Sequence, residues 1–528
     1  MLKQKIFLSC GFHVNCNHSW RGDRNDRTGF GTDLKVIRGI IKILDGAESR
    51  GFDVRGTWDF DNHWSLEHVL PRFAPDIIES ISRRVKNGLD EVILGCWNNG
   101  DVCAATTDMF RESLKRAISN SAGSGVRDLF GKFSPVVRTQ ETMFTQGDIE
   151  LYNEQGVEAI ALYYSSVPFD AFKNFVSPLK PAEMYNPMHL RSTVSTAKML
   201  VIPMYNQGDI IARGSLRRWV EDIRKKQISG EIPGNALLYI NMDADGEVWT
   251  GVPLPKFFQK LPNVRGLDEF IDLVDQTEYL EFGHVGEYVK NNPPAGEITI
   301  RQDLADGSYC GFNSWTEKEI NYRLWRLAER ARWFERSADA LSSRDGFPPE
   351  ARDRIARLLR EDGDSFFENK IRLLSTTHFG MNSPAVHEDR LRVAFHLSRT
   401  AADKARAALD TAVNSDTSLF SNSIPDALLS FNAVEFPKYA EASAAPNGTR
   451  SLLRIPVAFD PSMRIEADKI DVRNSSGESI PFDITGVETD GAGALKSGTL
   501  LVLYETQGAG GALFLCRSEG GAGIKGKG

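Results

Sequence analysis

A glutamate stands where a short apolar run stops. Pro135-Val-Val-Arg-Thr-Gln-Glu141 reads as a buried strand that ends in polar residues, and Gly147-Asp148 then opens a helical pattern running to Glu158. An acid at such a junction lies at the carboxyl end of its strand, the face on which parallel α/β folds place their chemistry. Alone, Glu141 would read as a loop carboxylate capping the next helix. Other strand exits carry similar cargo. One run leads into Gly11-Phe-His13-Val-Asn15-Cys-Asn17-His18-Ser-Trp20, another into Trp58-Asp59-Phe-Asp-Asn-His63, a third into Cys96-Trp97-Asn98-Asn-Gly100, and the last into Asn241-Met-Asp243-Ala-Asp245. Tryptophans beside amides and acids suit a sugar pocket, where rings stack on apolar sugar faces and hydroxyls take polar partners. Glu141 and Asp243 then become a carboxylate pair able to break a glycosidic bond. One group protonates the leaving oxygen while the other attacks or activates water.

Each residue also has a plainer reading. A lone histidine such as His13 or His18 is usually a satisfied core or rim residue, and Trp58 or Trp97 taken singly reads as barrel packing. Asp243 and Asp245 could shape a turn before Gly246. The argument rests on their co-location. Metal ligation is disfavoured by spacing, since His63 and His68 are five apart and miss the i, i+4 stacking of an α-helix. His13-x-Asn15-x-Asn17 likewise offers amides where a strong divalent site takes His and Asp. No cofactor and no catalytic metal are expected.

These residues need a scaffold that brings strand ends together. Apolar runs at Lys5–Cys10, Asp53–Trp58, Glu91–Trp97, Pro135–Glu141, Ala159–Ser165, Met199–Tyr205 and Ala236–Asp243 alternate with helical patterns. The helices are expected at Thr32–Arg50, Leu66–Lys86, Asp108–Ser119, Asp148–Glu158, Leu216–Lys226 and Leu267–Gln276. Such alternation means a parallel sheet with helices outside. The spacing predicts a (β/α)7-type catalytic barrel over residues 1–312. From Trp315 the apolar residues recur at three and four among many Arg and Glu, predicting a helical bundle over 313–435. Alternation and turns then predict a β-sandwich-like segment over 450–516, followed by a flexible Gly-rich tail over 517–528.

Composition narrows the partners. With 528 residues, the chain is long enough for two or three domains. A net charge of -8 argues against nucleic acid and gives no reason to expect an anionic membrane. The six cysteines show no CxxC pair, which fits a reducing compartment. No stretch approaches the ~20 apolar residues of a membrane span, and the run after Lys5 is too short for a signal-peptide core. A cytoplasmic protein is expected, and its oligomeric state is not legible.

The pattern resembles the glycoside hydrolases of families 57 and 38. His13-x-Asn15-x-Asn17-His-Ser-Trp20 is similar to the family-38 opening motif, in which the equivalents of Asn15 and Asn17 are a zinc-binding His and Asp. Asn87–Trp97 resembles the third-strand segment of the α-mannosidases. Tyr309–Arg332 and Leu373–Gly380 resemble their bundle, with His378 at a metal-ligand position. Family-57 enzymes use no metal, and Gln140-Glu141 and Met242-Asp243-Ala-Asp245 look like the segments that carry their nucleophile and acid. The resemblance implies a retaining hydrolase or transglycosylase acting on an α-glucan or α-mannoside, with Glu141 as nucleophile and Asp243 as general acid/base. His13, Asn15, Trp20, Trp58, Asp59, Trp97, Asn98, Asp245 and His378 are the candidate contacts to an oligosaccharide or polysaccharide. The rival readings are a metal-dependent mannosidase-like or polysaccharide-deacetylase-like hydrolase, and a non-catalytic carbohydrate-binding protein on the same barrel.

Overall fold

The computed structural model describes residues 4–16, 31–100, 105–164, 178–193, 195–251, 255, 261–300, 319–344, 346–379, 388–415, 427–431, 450–458, 464–474, 478–505 and 511–517. The chain divides into two compact units, one of residues 1–317 with 374–383, the other of 318–373 with 384–528.

The first unit carries strands β1 (Ile6–Val14), β2 (Gly56–Phe60), β3 (Asp90–Leu94), β4 (Ser134–Arg138), β5 (Ala159–Tyr163), β6 (Met188–Arg191), β7 (Lys198–Met204), β8 (Ala236–Asp243), β9 (Leu280–Phe282) and β10 (Gly296–Ile298). They make one curled ten-stranded sheet in the order β10-β6-β7-β5-β4-β3-β2-β1-β8, with β9 beside β1. Every pairing from β7 through β5, β4, β3, β2 and β1 to β8 is parallel, and only β6 on β7 is antiparallel. All the expected runs are strands of this parallel series, so their carboxyl ends share one edge. Beyond β7, Tyr205 N–H donates to the Tyr239 carbonyl at 2.8 Å and the Tyr205 carbonyl accepts from Asn241 N–H at 2.9 Å. These two bonds tie β7 to β8.

Two differences from the expected elements matter for chemistry. First, β1 continues to Val14, which makes His13 a strand residue rather than a loop residue. The apolar run is hidden at Gly11, where a Cβ would lie 2.4 Å from Asn241 Nδ2. Second, the single helix expected over Leu66–Lys86 is broken. Asn62–Val69 winds as a π-helix, Leu70–Phe73 follows, and Pro75 opens a separate helix, Pro75–Lys86, after a non-helical Ala74 (φ -153°, ψ 53°). Proline cannot donate to the preceding turn and clashes with it, so the break falls there.

Ile93, Val136, Ala159, Ala161, Tyr163, Ile202, Met204, Leu237 and Tyr239 pack inside the curl against Val285, Tyr288 and Val289 of the helix Val285–Asn291. Glu91 fixes that helix, accepting from Val285 N–H at 2.5 Å, Gly286 N–H at 3.1 Å and Ser134 Oγ at 2.6 Å. A carboxylate on unsatisfied helix N–H groups is a favourable buried charge.

In the second unit the helices are Glu319–Ser342, Pro349–Ala356 with a π-helical continuation Arg357–Glu361, Phe366–Leu373, and Glu388–Ser415. The two long ones pack on each other. Buried Ala394, Leu397, Ala401, Ala405, Ala408 and Ala412 recur at three and four along the last helix, which lets the neighbouring backbone approach closely. Strands β11 (Ala427–Phe431), β12 (Arg450–Ala458), β13 (Ile470–Asn474), β14 (Phe482–Thr489), β15 (Leu495–Glu505) and β16 (Gly511–Arg517) form two three-stranded antiparallel sheets, β11-β16-β13 and β12-β15-β14. The Gly-rich tail beyond residue 517 lies outside the described residues. Among the described residues no helix is long and apolar enough to cross a membrane.

Candidate active site

Register places three polar side chains side by side. His13 of β1 pairs with Asp59 of β2 on one flank and Asp243 of β8 on the other. Partners in a parallel ladder leave the same face, so all three project together. His13 Nδ1 lies 2.7 Å from Asp59 Oδ1, with both residues buried. A carboxylate on Nδ1 holds the proton there, so Nε2 is turned to accept. Among the described residues that Nε2 has no hydrogen-bond partner.

Arg138 reaches the same cluster from β4. Its Nε donates to Asn241 Oδ1 at 3.2 Å and lies 3.8 Å from Asp59 Oδ1. Asn241 Nδ2 in turn donates to Tyr239 Oη at 3.0 Å and to Asp59 Oδ2 at 3.3 Å. Tyr163 of β5 donates from its hydroxyl to the Asn241 carbonyl at 3.3 Å. Burial by itself would lower the Arg138 pKa. Tyr163, Asp59, Asp243 and Glu141 together outweigh it and raise the pKa above the ordinary arginine value. Both candidate catalytic acids therefore act on one buried guanidinium.

Glu141 follows β4 directly and sits in a left-handed turn with φ 49° and ψ 31°. Thr142 beside it has φ 48°. Two consecutive non-glycine residues with positive φ, one of them β-branched, cost on the order of 1–3 kcal/mol each. The neighbourhood holds them there. Gln140 Nε2 donates to Glu141 Oε1 at 3.1 Å and to Thr376 Oγ1 at 3.2 Å, and Thr376 N–H donates to the Asn99 carbonyl at 2.8 Å. Asn99 is itself left-handed, with φ 46°. The stretch around buried His378 is thereby seated against the exits of β3 and β4, His378 N–H donating to the Ser375 carbonyl.

The remaining candidates divide. Asn15 joins the rim, its Oδ1 accepting from Asn99 Nδ2 at 2.8 Å. Asp243 is exposed, Asp245 half-buried and Asn98 buried beside Trp97. Trp58 alternates with Asp59 and so faces the helices. It packs on Phe12 at 4.6 Å, its Nε1 donating to Asp90, which Arg84 also holds. Trp97 is buried, with His63 at 4.5 Å and the Arg116 guanidinium at 4.7 Å from its ring. Neither ring is free to stack on a sugar. Asn17, His18 and Trp20 lie outside the described residues. Amide oxygens supply no anionic ligand, the Asn15 oxygen is engaged by Asn99, and His13 Nδ1 is engaged by Asp59.

Sequence reading missed Arg138, Asn241 and Tyr163. Arg138 had a usable signal, a charge inside an apolar run, while Asn241 sits two residues before Asp243 and so shares its face. Asp61 was also passed over. It is fully buried, and burial pushes its carboxyl well above the usual range, with Glu67 adding to the rise. A cleft of about 520 Å³ lies at the other end of the sheet, among Phe7, Arg55, Phe282, His284, Tyr288 and Asn292, away from all of these groups.

The first unit is thus a curled, largely parallel sheet with helices outside and charged side chains at the strand ends. Solved structures carry it: 4-alpha-glucanotransferase from Thermococcus litoralis matches with a TM-score of 0.50 at 14% identity, over 76% of this chain and 60% of that one. An alpha-mannosidase from Enterococcus faecalis V583 gives 0.49 at 12% identity over 99% and 57%, and the GH57-type branching enzyme from Pyrococcus horikoshii gives 0.46 at 10% over 83% and 94%. The chain thus spans less than two thirds of the glucanotransferase and of the mannosidase. No protein-family model and no curated protein matches it.

Proposed function

We propose that the chain is a retaining glycoside hydrolase or transglycosylase acting on an α-linked oligosaccharide or polysaccharide, an α-glucan or an α-mannoside. In this reading the sheet is a seven-stranded (β/α) barrel, closed at Tyr205, followed by a helical bundle. Glu141 attacks the anomeric carbon as the bond to the leaving oxygen breaks, and Asp243 gives that oxygen its proton. A glycosyl-enzyme ester results. Asp243 then takes a proton from water or from a sugar hydroxyl, which displaces Glu141 and restores both carboxyl groups. Which acceptor wins decides between hydrolysis and transfer. His13, held by Asp59, offers Nε2 to a substrate hydroxyl, with Asn15 and His378 on the same rim.

The observation that carries the reading is Arg138. It crosses the inside of the curl to reach Asn241, two residues before Asp243, and lies three residues before Glu141. A pair of acids brought to one cation from facing strands suits a two-carboxylate displacement, whose groups stand about 5–5.5 Å apart in retaining enzymes. The reading is tested with a panel of aryl α-glycosides and α-glucans. Wild type is expected to turn one of them over, and Glu141→Gln to lose at least ~10³-fold in kcat while still binding oligosaccharide. Undiminished turnover by Glu141→Gln overturns it. Binding without turnover by wild type favours the non-catalytic rival.

A further inference from the structure

We propose that His63, Glu67 and His68 form a site for a divalent transition metal, with zinc the ion their donors fit. The proposal does not depend on the proposed glycosidic chemistry.

The spacing that disfavours a metal on an α-helix favours one here. Residues 62–69 wind as a π-helix, the Leu70 N–H closing the last turn onto the Ser65 carbonyl five residues back. That wider winding puts positions i, i+4 and i+5 on one face. The donor atoms of His63, Glu67 and His68 lie within 4.8 Å of one another, the sole such group of three among the described residues. His63 Nδ1 and Glu67 Oε2 are 3.2 Å apart. Two ligands at ~2.0–2.2 Å in a tetrahedral site are separated by about 3.3 Å, so this pair already spans one edge of the coordination shell.

Outer contacts orient the carboxylate. Trp97 Nε1 donates to Glu67 Oε1 at 2.7 Å, and Asn120 Nδ2 donates to the same oxygen at 3.1 Å. Both neutral donors fall on Oε1, which leaves Oε2 directed toward the histidines. Asn120 is itself fixed, its Oδ1 accepting from Ala122 N–H, Ser124 N–H and Ser124 Oγ at 3.0–3.2 Å. Such partners hold ligands in place in known metal centres. The His63 ring rests on Trp97 at 4.5 Å and meets His68 at 4.6 Å. Nearby Arg116 is neutralised by Glu112 at 2.7 Å. Two imidazoles and one carboxylate are a borderline-soft donor set, suited to zinc and poor for calcium or magnesium. Three protein ligands leave a fourth position for water.

The full chain, freed of metal by chelator and dialysis, is titrated with ZnCl2 by calorimetry and followed by thermal melting. One ion per chain is expected, with Kd at or below about 1 μM, and a higher Tm in its presence. His68 is exposed, so His68→Ala is expected to fold and to weaken zinc by more than about 100-fold. Trp97→Phe keeps the ring, loses the donor to Glu67, and is expected to weaken zinc by roughly 10–100-fold. Absence of saturable zinc binding overturns the proposal. So does binding that His68→Ala leaves unchanged, because the ion is then held elsewhere. Circular dichroism of each variant separates loss of the site from loss of the fold.

Discussion

Arg138 Nε donates to Asn241 Oδ1 across the inside of the curled sheet, at 3.2 Å, linking β4 to β8. The two strands are separated by β3, β2 and β1 along the ladder, so the bond exists only because the sheet bends back on itself. Asp59, Asp243 and Glu141 each raise the pKa of this buried guanidinium. Arg138→Met leaves the buried carboxylate of Asp59 without its neighbouring cation. Unfolding free energy at neutral pH is expected to fall by about 3–5 kcal/mol, measured by urea denaturation. Asn241→Ala is expected to cost about 1–3 kcal/mol. The double variant should lose less than the two singles summed, since the residues share a bond. Strict additivity would show that they do not act together.

Asp243 gives a second, chemical expectation. A general acid matters in proportion to how badly the leaving group needs a proton. Asp243→Asn should therefore lose roughly 10²–10⁴-fold in kcat on a natural glycoside, and much less on an aryl glycoside whose phenolate departs unaided. Steady-state kinetics on both substrates would check this. Equal losses on the two would assign Asp243 a role other than proton donation.

Strain at the exit of β4 predicts the sign of one stability change. Thr142 is buried, has φ 48°, and its hydroxyl has no hydrogen-bond partner among the described residues. Thr142→Gly removes both the steric cost of the left-handed backbone and the unpaired Oγ1, against some loss of packing. The variant is expected to melt at a higher temperature, by the equivalent of about 1 kcal/mol. Glu141 stays in place, so a drop in activity alongside the gain would show that the strain serves to aim its carboxylate.

Much of this arrangement was legible in the order of residues, and the gaps have physical causes. Parallel strands buried on both faces are near-continuous apolar runs, so β8 is found at Ala236–Asp243 as the run predicts. The exits were legible because Glu141 and Asp243 stand abruptly after such runs. Gly11 hid the upper half of β1, because a glycine inside an apolar run marks either a turn or a close approach. Here it is the approach of Asn241. Arg138 stood out only as a charge inside an apolar run; its partners come from β2 and β8, and pairing across a curl leaves no trace in local spacing. Trp58 and Trp97 were misleading for a related reason. Rim position follows from sequence, but which face a ring turns follows from packing, and both rings are spent on protein. The π-helix at Asn62–Val69 was the hardest to see, since a five-residue spacing has meaning only once the winding is known.

Lys370 in the helical unit carries a prediction independent of any activity. It is buried, its Nζ donating to the Ala328 carbonyl at 3.2 Å. Burial, then the nearby Arg332, bring its pKa down to about 7, against ~10.4 for a solvated lysine. Between those values the unfolded chain holds a proton that the folded chain does not. Stability from this group therefore rises with pH across that window, by up to about 1.4 kcal/mol per pH unit, and the penalty is fullest below pH 7. Lys370→Met removes the titration and keeps an unbranched side chain in the same space. The variant should be the more stable protein at pH 6–7, and its advantage should shrink steadily toward pH 10. Urea unfolding of both proteins across that range, followed by far-ultraviolet circular dichroism, measures the difference directly. A difference that stays constant with pH would mean that Lys370 keeps its proton in the folded chain, with Glu329 and Glu335 compensating it.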